Sequence, residues 1–327
     1  MRTIDWRDGH IVLIDQTRLP GGVVEVAINS VEELVIAIQR LAVRGAPALG
    51  AAGALGAALA VRADPARLDR DLAALRAARP TAVNLAWGVD RALRRLAEGP
   101  DAVLAEALDV LAEDGVHNRS LGERGARWLT ERLEGLVAVQ THCNAGSLAC
   151  VEWGTALGVV RSLHGQGRLR HVYVDETRPL LQGARLTAWE LTHLGVPHTL
   201  VVDAAGPTVL ARGLADAVVV GADRIAANGD VINKIGTYPL ALAAARAGVP
   251  FLVAAPESTV DPSVPSGDKV DIEVRDGAEL LLWGGSRSAP SGTQALNVAF
   301  DVTPADLVTA IVTEDRVVHP ARGERPA

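Results

Sequence analysis

A thiol and a set of polar groups recur in this sequence where apolar runs end. Cys143 lies in Gln140-Thr141-His142-Cys143-Asn144-Ala145-Gly146-Ser147, after the apolar run 136–139 and before a small-residue segment, 147–163, with a helical pattern. The thiol thus falls where a strand hands over to a helix, the place where open α/β sheets bind ligands. Backbone N–H groups at a helix start hold anions, and the helix dipole lowers the pKa of a nearby thiol. The alternative is that Cys143 is a small buried hydrophobe, as most free cysteines are. His142 invites a Cys–His pair. Neighbours on an extended strand end point to opposite faces, however, so we read His142 as structural.

The same position recurs after three more apolar runs. Asp175-Glu176-Thr177-Arg178-Pro179 and Gln182 follow the run 171–174, and Asp203 follows 199–202. Gly221-Ala222-Asp223-Arg224 follows 217–220, with Asn233 and Lys234 ten residues further on. A thiol, carboxylates, amides and a lysine on one rim have the makings of an acid–base site with a phosphate clamp. Each group has a plainer reading. Asp175 could cap a turn, Arg178 could pair with Glu176, and Asp223 with Arg224. Lys234 sits beside Ile232 and Ile235, which argues against simple solvation. Two further motifs, Arg44-Gly45-Ala46-Pro47 and Arg79-Pro80-Thr81-Ala82, each place an arginine just before a helix start. Gly45 frees the backbone, Pro47 suits a first helical turn, and Arg44 beside exposed N–H groups suits a phosphate.

These groups need a frame. Helical patterns cover 45–62, 64–78, 82–98 and 101–132, preceded by a hairpin (11–14 and 23–26 around Leu19-Pro20-Gly21-Gly22) and a helix that Ser30 and Glu33 begin with a capping box. From 137 onward the apolar β-branched runs 137–139, 171–174, 199–202, 217–220 and 251–254 alternate with helical stretches 147–163, 182–194, 208–214 and 238–247. That rhythm predicts a parallel sheet with helices on both faces, and a boundary near 130–135. The stretches 260–267 and 289–292 read as loops. At 327 residues the chain is long enough for two domains.

Composition narrows the partners. A net charge of −7 and 3% aromatic residues disfavour a nucleic-acid surface. The apolar stretch 49–61 is too short to span a bilayer, and the charged N-terminus is unlike a signal peptide, so a cytoplasmic protein is expected. Cys143 and Cys150 are seven residues apart, roughly 10 Å along a helix, and form neither a disulfide nor a metal framework. No GxGxxG follows a strand, which disfavours a nicotinamide enzyme.

The ordered motifs carry a resemblance that runs almost end to end. Asp15-Gln16-Thr17-Arg18-Leu19-Pro20, Val43 to Ala48, Arg79 to Leu85, Thr141 to Gly146, Glu176 to Pro179, Gln182 to Leu191, Gly221 to Ile225, Asn233 to Thr237 and Ala299 to Pro304 resemble the methylthioribose-1-phosphate isomerase family. That family is related to the alpha, beta and delta subunits of translation initiation factor 2B. The resemblance implies an α/β fold, with a smaller, mostly helical N-terminal domain (1–132) and a C-terminal Rossmann-like domain (133–327), and a homodimer. It implies an aldose–ketose isomerisation in methionine salvage, on a small sugar phosphate, with no cofactor and no metal. Cys143 and Asp223 would be catalytic, with Arg44, Gly45, Ala46, Arg79, Gln182, Asn233 and Lys234 binding substrate. The chain departs from the family pattern at Glu152-Trp153, at Asp203-Ala204-Ala205, at Leu281-Leu282-Trp283 and at Asn297-Val298. These departures bear on the pocket for the sugar's C5 substituent and make another pentose 1-phosphate, such as 5-deoxyribose 1-phosphate or ribose 1,5-bisphosphate, the alternative substrate. A non-catalytic regulatory subunit that senses a sugar phosphate or nucleotide is the reading of another class, disfavoured by Cys143 and Asp223 occurring together with the clamp residues.

Overall fold

The computed structural model describes residues 2–79 and 82–327. Strands β1 (Ile4–Arg7), β2 (His10–Ile14) and β3 (Glu25–Ile28) form an antiparallel sheet. The expected hairpin is thus present, with a strand before it that the sequence did not announce. Ser30 begins α1 (Val31–Gln39), its Oγ accepting from Glu33 N–H at 3.2 Å. The second half of the box is shifted by one residue, because Glu33 reaches Asn29 N–H rather than Ser30 N–H. Then come α2 (Ala46–Arg62), α3 (Leu68–Ala77), α4 (Val83–Leu93) and the long α5 (Pro100–Thr130). Their apolar faces close one core, in which Leu34, Leu55, Leu75, Leu85 and Leu111 are fully buried. Pro80 and Thr81, which the second arginine motif includes, lie outside the described residues.

The chain then enters a sheet of seven strands. In chain order these are β4 (Val137–Thr141), α6 (Ala156–Gly165), β5 (Leu169–Asp175), α7 (Ala188–His193), β6 (His198–Val201), α8 (Gly206–Ala211) and β7 (Ala217–Val220). After them come β8 (Arg224–Ala226), β9 (Val231–Lys234), α9 (Thr237–Ala247), β10 (Phe251–Ala254) and β11 (Val260–Asp261). The hairpin β12 (Leu282–Trp283) and β13 (Ser286–Arg287), β14 (Phe300–Thr303), β15 (Ala310–Val312) and β16 (Val317–Val318) complete the chain. The large sheet has the order β16-β15-β10-β7-β4-β5-β6 and is parallel except at the β16 edge. Both faces are covered at its centre, so β7, β10 and β15 are apolar at every position. Val219, Leu252 and Ala254 face the core with α5, α6 and α7, while Val218, Val220, Phe251 and Val253 face α8 and α9.

Two expectations fail here. The helix expected from 147 is only a short 3-10 turn, Ser147–Ala149, and α6 begins at Ala156. Gly146 and Gly154 are bridged across this irregular stretch, and Trp153 and Gly154 have φ of 72° and 95°. A helix is closed to that backbone. Second, β11, β8, β9 and β14 form a separate four-stranded sheet that short, mixed runs did not signal.

The tightest packing in the helical half is between α2 and α4. A methyl group on Gly88 would lie 1.9 Å from the Gly50 carbonyl oxygen, so only glycine permits this approach. Gly88→Ala should therefore destabilise the chain by about 1–3 kcal/mol, as overpacked cores do. Gly165→Ala, where nothing lies within 4 Å, should be close to neutral. Urea midpoints measure both, and equal midpoints for the two variants would contradict the packing.

Candidate active site

The strand order places the site. In chain order the parallel strands step outward from β4 through β5 to β6, then return to the other side of β4 with β7, β10 and β15. The order therefore reverses between β4 and β7, and ligand crevices of doubly wound sheets open at that reversal, beyond the strand C-termini. Cys143 follows β4 and Asp223 follows β7. A cleft of about 890 Å³, counted to its open mouth, lies there. All nine residues expected at the site line it: Arg44, Gly45, Ala46, Arg79, Cys143, Gln182, Asp223, Asn233 and Lys234. Leu41, Leu49, Leu180, Pro256 and Phe300 supply apolar wall.

Cys143 is half-buried and held in the left-handed region, with φ 61°. Such a conformation costs a non-glycine residue about 1–3 kcal/mol and persists only when its surroundings fix it. Here Cys143 N–H donates to Thr177 Oγ1 at 2.8 Å, and Thr187 Oγ1 donates to the Cys143 carbonyl at 2.6 Å. The thiol does not sit at a helix start, because α6 begins thirteen residues later. The expected lowering by a helix dipole is absent. Burial pushes the thiol pKa up, Arg44 and Lys234 pull it down, and Asp223 opposes them. The net direction is upward. Cys150 is fully buried, and burial raises its thiol well above the ordinary range.

Three cations surround these groups. Arg44 donates from Nη1 to Asn144 Oδ1 at 2.9 Å and from Nη2 to the Asn144 carbonyl at 2.6 Å. It precedes α2, whose N-terminus has no side-chain cap, so first-turn N–H groups are open to an anion at the cleft. Gly45 has φ 96°, and a Cβ there would stand 2.5 Å from the Ala149 backbone. Glycine is what lets this helix start reach the cleft. Arg79 binds Glu273 at 2.9 Å, and Glu273 in turn binds Arg275, a further cleft residue. Lys234 donates from Nζ to the Ala299 carbonyl at 2.9 Å and lies 4.4 Å from the Phe300 ring centroid. Burial lowers its pKa, while Cys143 and Asp223 support its charge.

Asp223 carries the opposite balance. Burial raises its carboxyl pKa, and Lys234, Arg44 and Arg79 offset only part of that rise. Among the described residues Asp223 forms no ion pair with Arg224, which reaches Asp261 at 3.4 Å. Gln182 is buried, and its Oε1 has no partner among the described residues. Asn233 donates to Thr237 Oγ1 at 2.9 Å. His142 Nδ1 lies 3.0 Å from Asp175 Oδ2 and Nε2 lies 2.8 Å from the Ile235 carbonyl. Both partners are acceptors, so both ring nitrogens donate and the ring carries a proton on each. Burial works against that charge, but Asp175 overrides it and the histidine pKa is raised. His142 is a support for the cleft floor and has no free nitrogen for Cys143. Arg178 turns from Glu176 to stack on Trp283 at 4.7 Å. Among the described residues, no group of three or more His, Cys, Asp or Glu could hold a metal ion, and no helix is long and apolar enough to cross a membrane.

Comparison with known proteins gives this arrangement a lineage. The model of the initiation factor 2 subunit family matches residues 26–320. The chain belongs to that family. Within the initiation factor 2 subunit family, its similar relatives include enzymes. It is 53% identical over 98% of its length to a probable bifunctional methylthioribose-1-phosphate isomerase/methylthioribulose-1-phosphate dehydratase of Nocardia farcinica, and spans 60% of that protein. It is 49% identical to a 5-deoxyribose 1-phosphate isomerase of Moorella thermoacetica, over 97% of this chain and 94% of the other. The crystal structure of 5-methylthioribose 1-phosphate isomerase from Pyrococcus horikoshii matches with a TM-score of 0.88 and 40% identity, over 98% of this chain and 92% of that one. The mixed α/β fold with its parallel sheet is shared with that structure.

Sequence reasoning missed the residues that hold the site together. Glu190 is buried and accepts from Asn144 Nδ2 at 2.8 Å, Ser147 N–H at 2.7 Å and Ser147 Oγ at 2.5 Å. It thereby fixes Asn144, which fixes Arg44. Its only signal was an acid amid the otherwise apolar pattern of Trp189 and Leu191. Because burial keeps the Cys143 thiol protonated, iodoacetamide should modify it slowly near neutral pH and faster into the alkaline range, leaving Cys150 intact in the native chain. Peptide mass spectrometry reads this directly, and a rate already at its plateau at about pH 7 would contradict the environment described.

Proposed function

We propose that this protein is an aldose–ketose isomerase that converts 5-methylthioribose 1-phosphate to 5-methylthioribulose 1-phosphate in methionine salvage. The observation that carries this reading is one cleft holding a thiol and a carboxyl beside Arg44, Arg79 and Lys234. The Asp223 carboxyl accepts no hydrogen bond within the described residues and the Cys143 thiol meets only the Asn144 N–H, so both face the cleft ready for a substrate. The names of the relatives support the same chemistry.

The phosphate on C1 blocks the free aldehyde, so the ring cannot open in the ordinary way. Asp223, whose raised pKa favours the protonated form, gives its proton to the ring oxygen as the C1–O bond breaks. The C2 hydroxyl gives its proton to the Asp223 carboxylate as the C2 carbonyl forms, which restores the acid, and one hydrogen passes from C2 to C1. Substrate and product are isomers, so protons balance. Arg44 and Lys234 favour the thiolate of Cys143, the form that can take a proton from C2. Deuterium entering C1 in D2O marks that route, and retention of the C2 hydrogen marks a direct shift. The first turn of α2, with Arg44, Gly45 and Ala46, receives the phosphate. Arg79, Gln182, Asn233 and Lys234 complete the contacts. The apolar wall of Leu41, Leu49, Leu180 and Phe300 suits a methylthio group or a bare methyl and gives nothing to a second phosphate. The Moorella relative supports 5-deoxyribose 1-phosphate as the second reading. The chain is further read as a helical domain, 1–132, joined to a Rossmann-like domain, 133–327, in a cytoplasmic homodimer.

Turnover of 5-methylthioribose 1-phosphate, 5-deoxyribose 1-phosphate and ribose 1,5-bisphosphate tests the substrate, with kcat/KM expected highest for the first and lowest for the bisphosphate. Cys143→Ser and Asp223→Asn should each lower kcat by about 10²–10⁴ while leaving thermal unfolding almost unchanged. If both variants retain more than about a tenth of the activity, these roles are wrong. Arg44→Lys keeps the charge and loses the planar fork, so kcat/KM should fall clearly, and further in Arg44→Ala. Unchanged kinetics in Arg44→Ala would remove the helical half from the site.

A further inference from the structure

A second cavity, of about 750 Å³ with its mouth, lies between α4, α5 and the loops at Pro256 and Glu314. Pro47 and Pro256 line both this cavity and the catalytic cleft, so the two share a wall. Its polar lining is almost all acceptor. Asn84 and Asn118 are each 1% exposed, and the Oδ1 of each has no partner among the described residues. Their nitrogens are engaged, Asn84 Nδ2 with Ser258 Oγ at 3.3 Å and Asn118 Nδ2 with the Glu152 carbonyl at 3.4 Å. Four carboxylates, Glu113, Asp114, Glu257 and Glu314, face one guanidinium, Arg91.

That guanidinium is spent. Arg91 is bound to Glu113 at 2.5 and 2.7 Å and to Glu106 at 2.9 Å. Glu257 is bound to Arg316 at 2.9 and 3.0 Å. Asp114 and Glu314 remain without an arginine or lysine partner. Glu314 accepts from the Glu257 N–H at 3.0 Å, its one basic neighbour among the described residues is His117, 3.6 Å away, and burial raises its pKa. Asp114 accepts from the Val151 and Glu152 N–H groups, yet burial still pushes it up to about 7. Two orphaned amide oxygens and two carboxylates short of positive charge call for a cation that also donates hydrogen bonds. The Trp87 ring on the same wall is a further surface for such a cation.

We propose that this cavity binds a small protonated amine, an ammonium ion or a primary alkylammonium. Its N–H groups donate to Asn84 Oδ1, Asn118 Oδ1 and a carboxylate, and its charge offsets the buried acids. The argument is independent of the reaction in the cleft, and so is its test. Methylammonium chloride titrated into the full chain by calorimetry should give a saturable heat. Potassium chloride and tetramethylammonium chloride at equal ionic strength should give none, since neither cation donates an N–H. Asn84→Leu and Asn118→Leu, each verified as folded by circular dichroism, should weaken methylammonium binding at least tenfold. Absence of a saturable heat, as a cavity that holds only water would show, overturns the proposal. So does an equal response to potassium or tetramethylammonium, or unaltered binding in both folded variants. If the variants do not fold, the selectivity of the wild-type chain decides the matter alone.

Discussion

The arrangement of the thiol against the helical half depends on one tether above all, the bidentate grip of Arg44 on Asn144. Arg44 comes from the helical half and Asn144 directly follows Cys143, so two bonds of 2.9 and 2.6 Å hold the start of α2 against the thiol. A charged guanidinium needs partners for its donors in a half-buried cleft, and Asn144 takes one from each terminal nitrogen, through its side chain and its backbone, leaving the others for a phosphate. Asn144 is in turn held by Glu190 and Thr187. The position of Arg44 is therefore set by a buried carboxylate on α7, far from it in sequence.

From that tether the electrostatics of the cleft follow. Burial favours the neutral forms of Cys143, Asp223 and Lys234 alike, and each of these groups limits the shift of at least one other. Lys234 favours ionisation of both acids, and both acids favour the charge on Lys234. A cleft built this way keeps an acid with a proton to give and a thiol with cations at hand. His142, locked between Asp175 and the Ile235 carbonyl, ties the floor of the cleft to β5 as a buried pair whose charges offset each other when the ring is protonated.

The large sheet was legible because the central parallel strands, buried on both faces, read as short continuous apolar runs, and most of the segments between them carry a helical pattern. Cys143 and Asp223 were legible for the same reason, as polar residues at the ends of such runs. What was not legible depends on distant partners. The irregular stretch after Cys143 reads as helical locally, but Glu190 holds Ser147 and Asp114 holds Val151 and Glu152, and these bonds keep it from winding up. Strand β9, which carries Asn233 and Lys234, is a strand because β14 pairs with it from Phe300 to Thr303. The plain pairings of Arg178 with Glu176 and Asp223 with Arg224 gave way to Trp283 and Asp261, partners distant in sequence that the fold brings to these arginines.

The central claim is geometric: one sugar phosphate reaches the α2 start, Cys143 and Asp223 together. A crystal structure of the chain soaked with 5-methylthioribulose 1-phosphate tests it most directly. The account predicts the phosphate against Arg44 and the amides of Gly45 and Ala46, with C1 and C2 about 3–3.5 Å from the Cys143 sulfur or the Asp223 carboxyl. A sugar bound with its phosphate away from the α2 N-terminus, or with C1 and C2 out of reach of both groups, would contradict it.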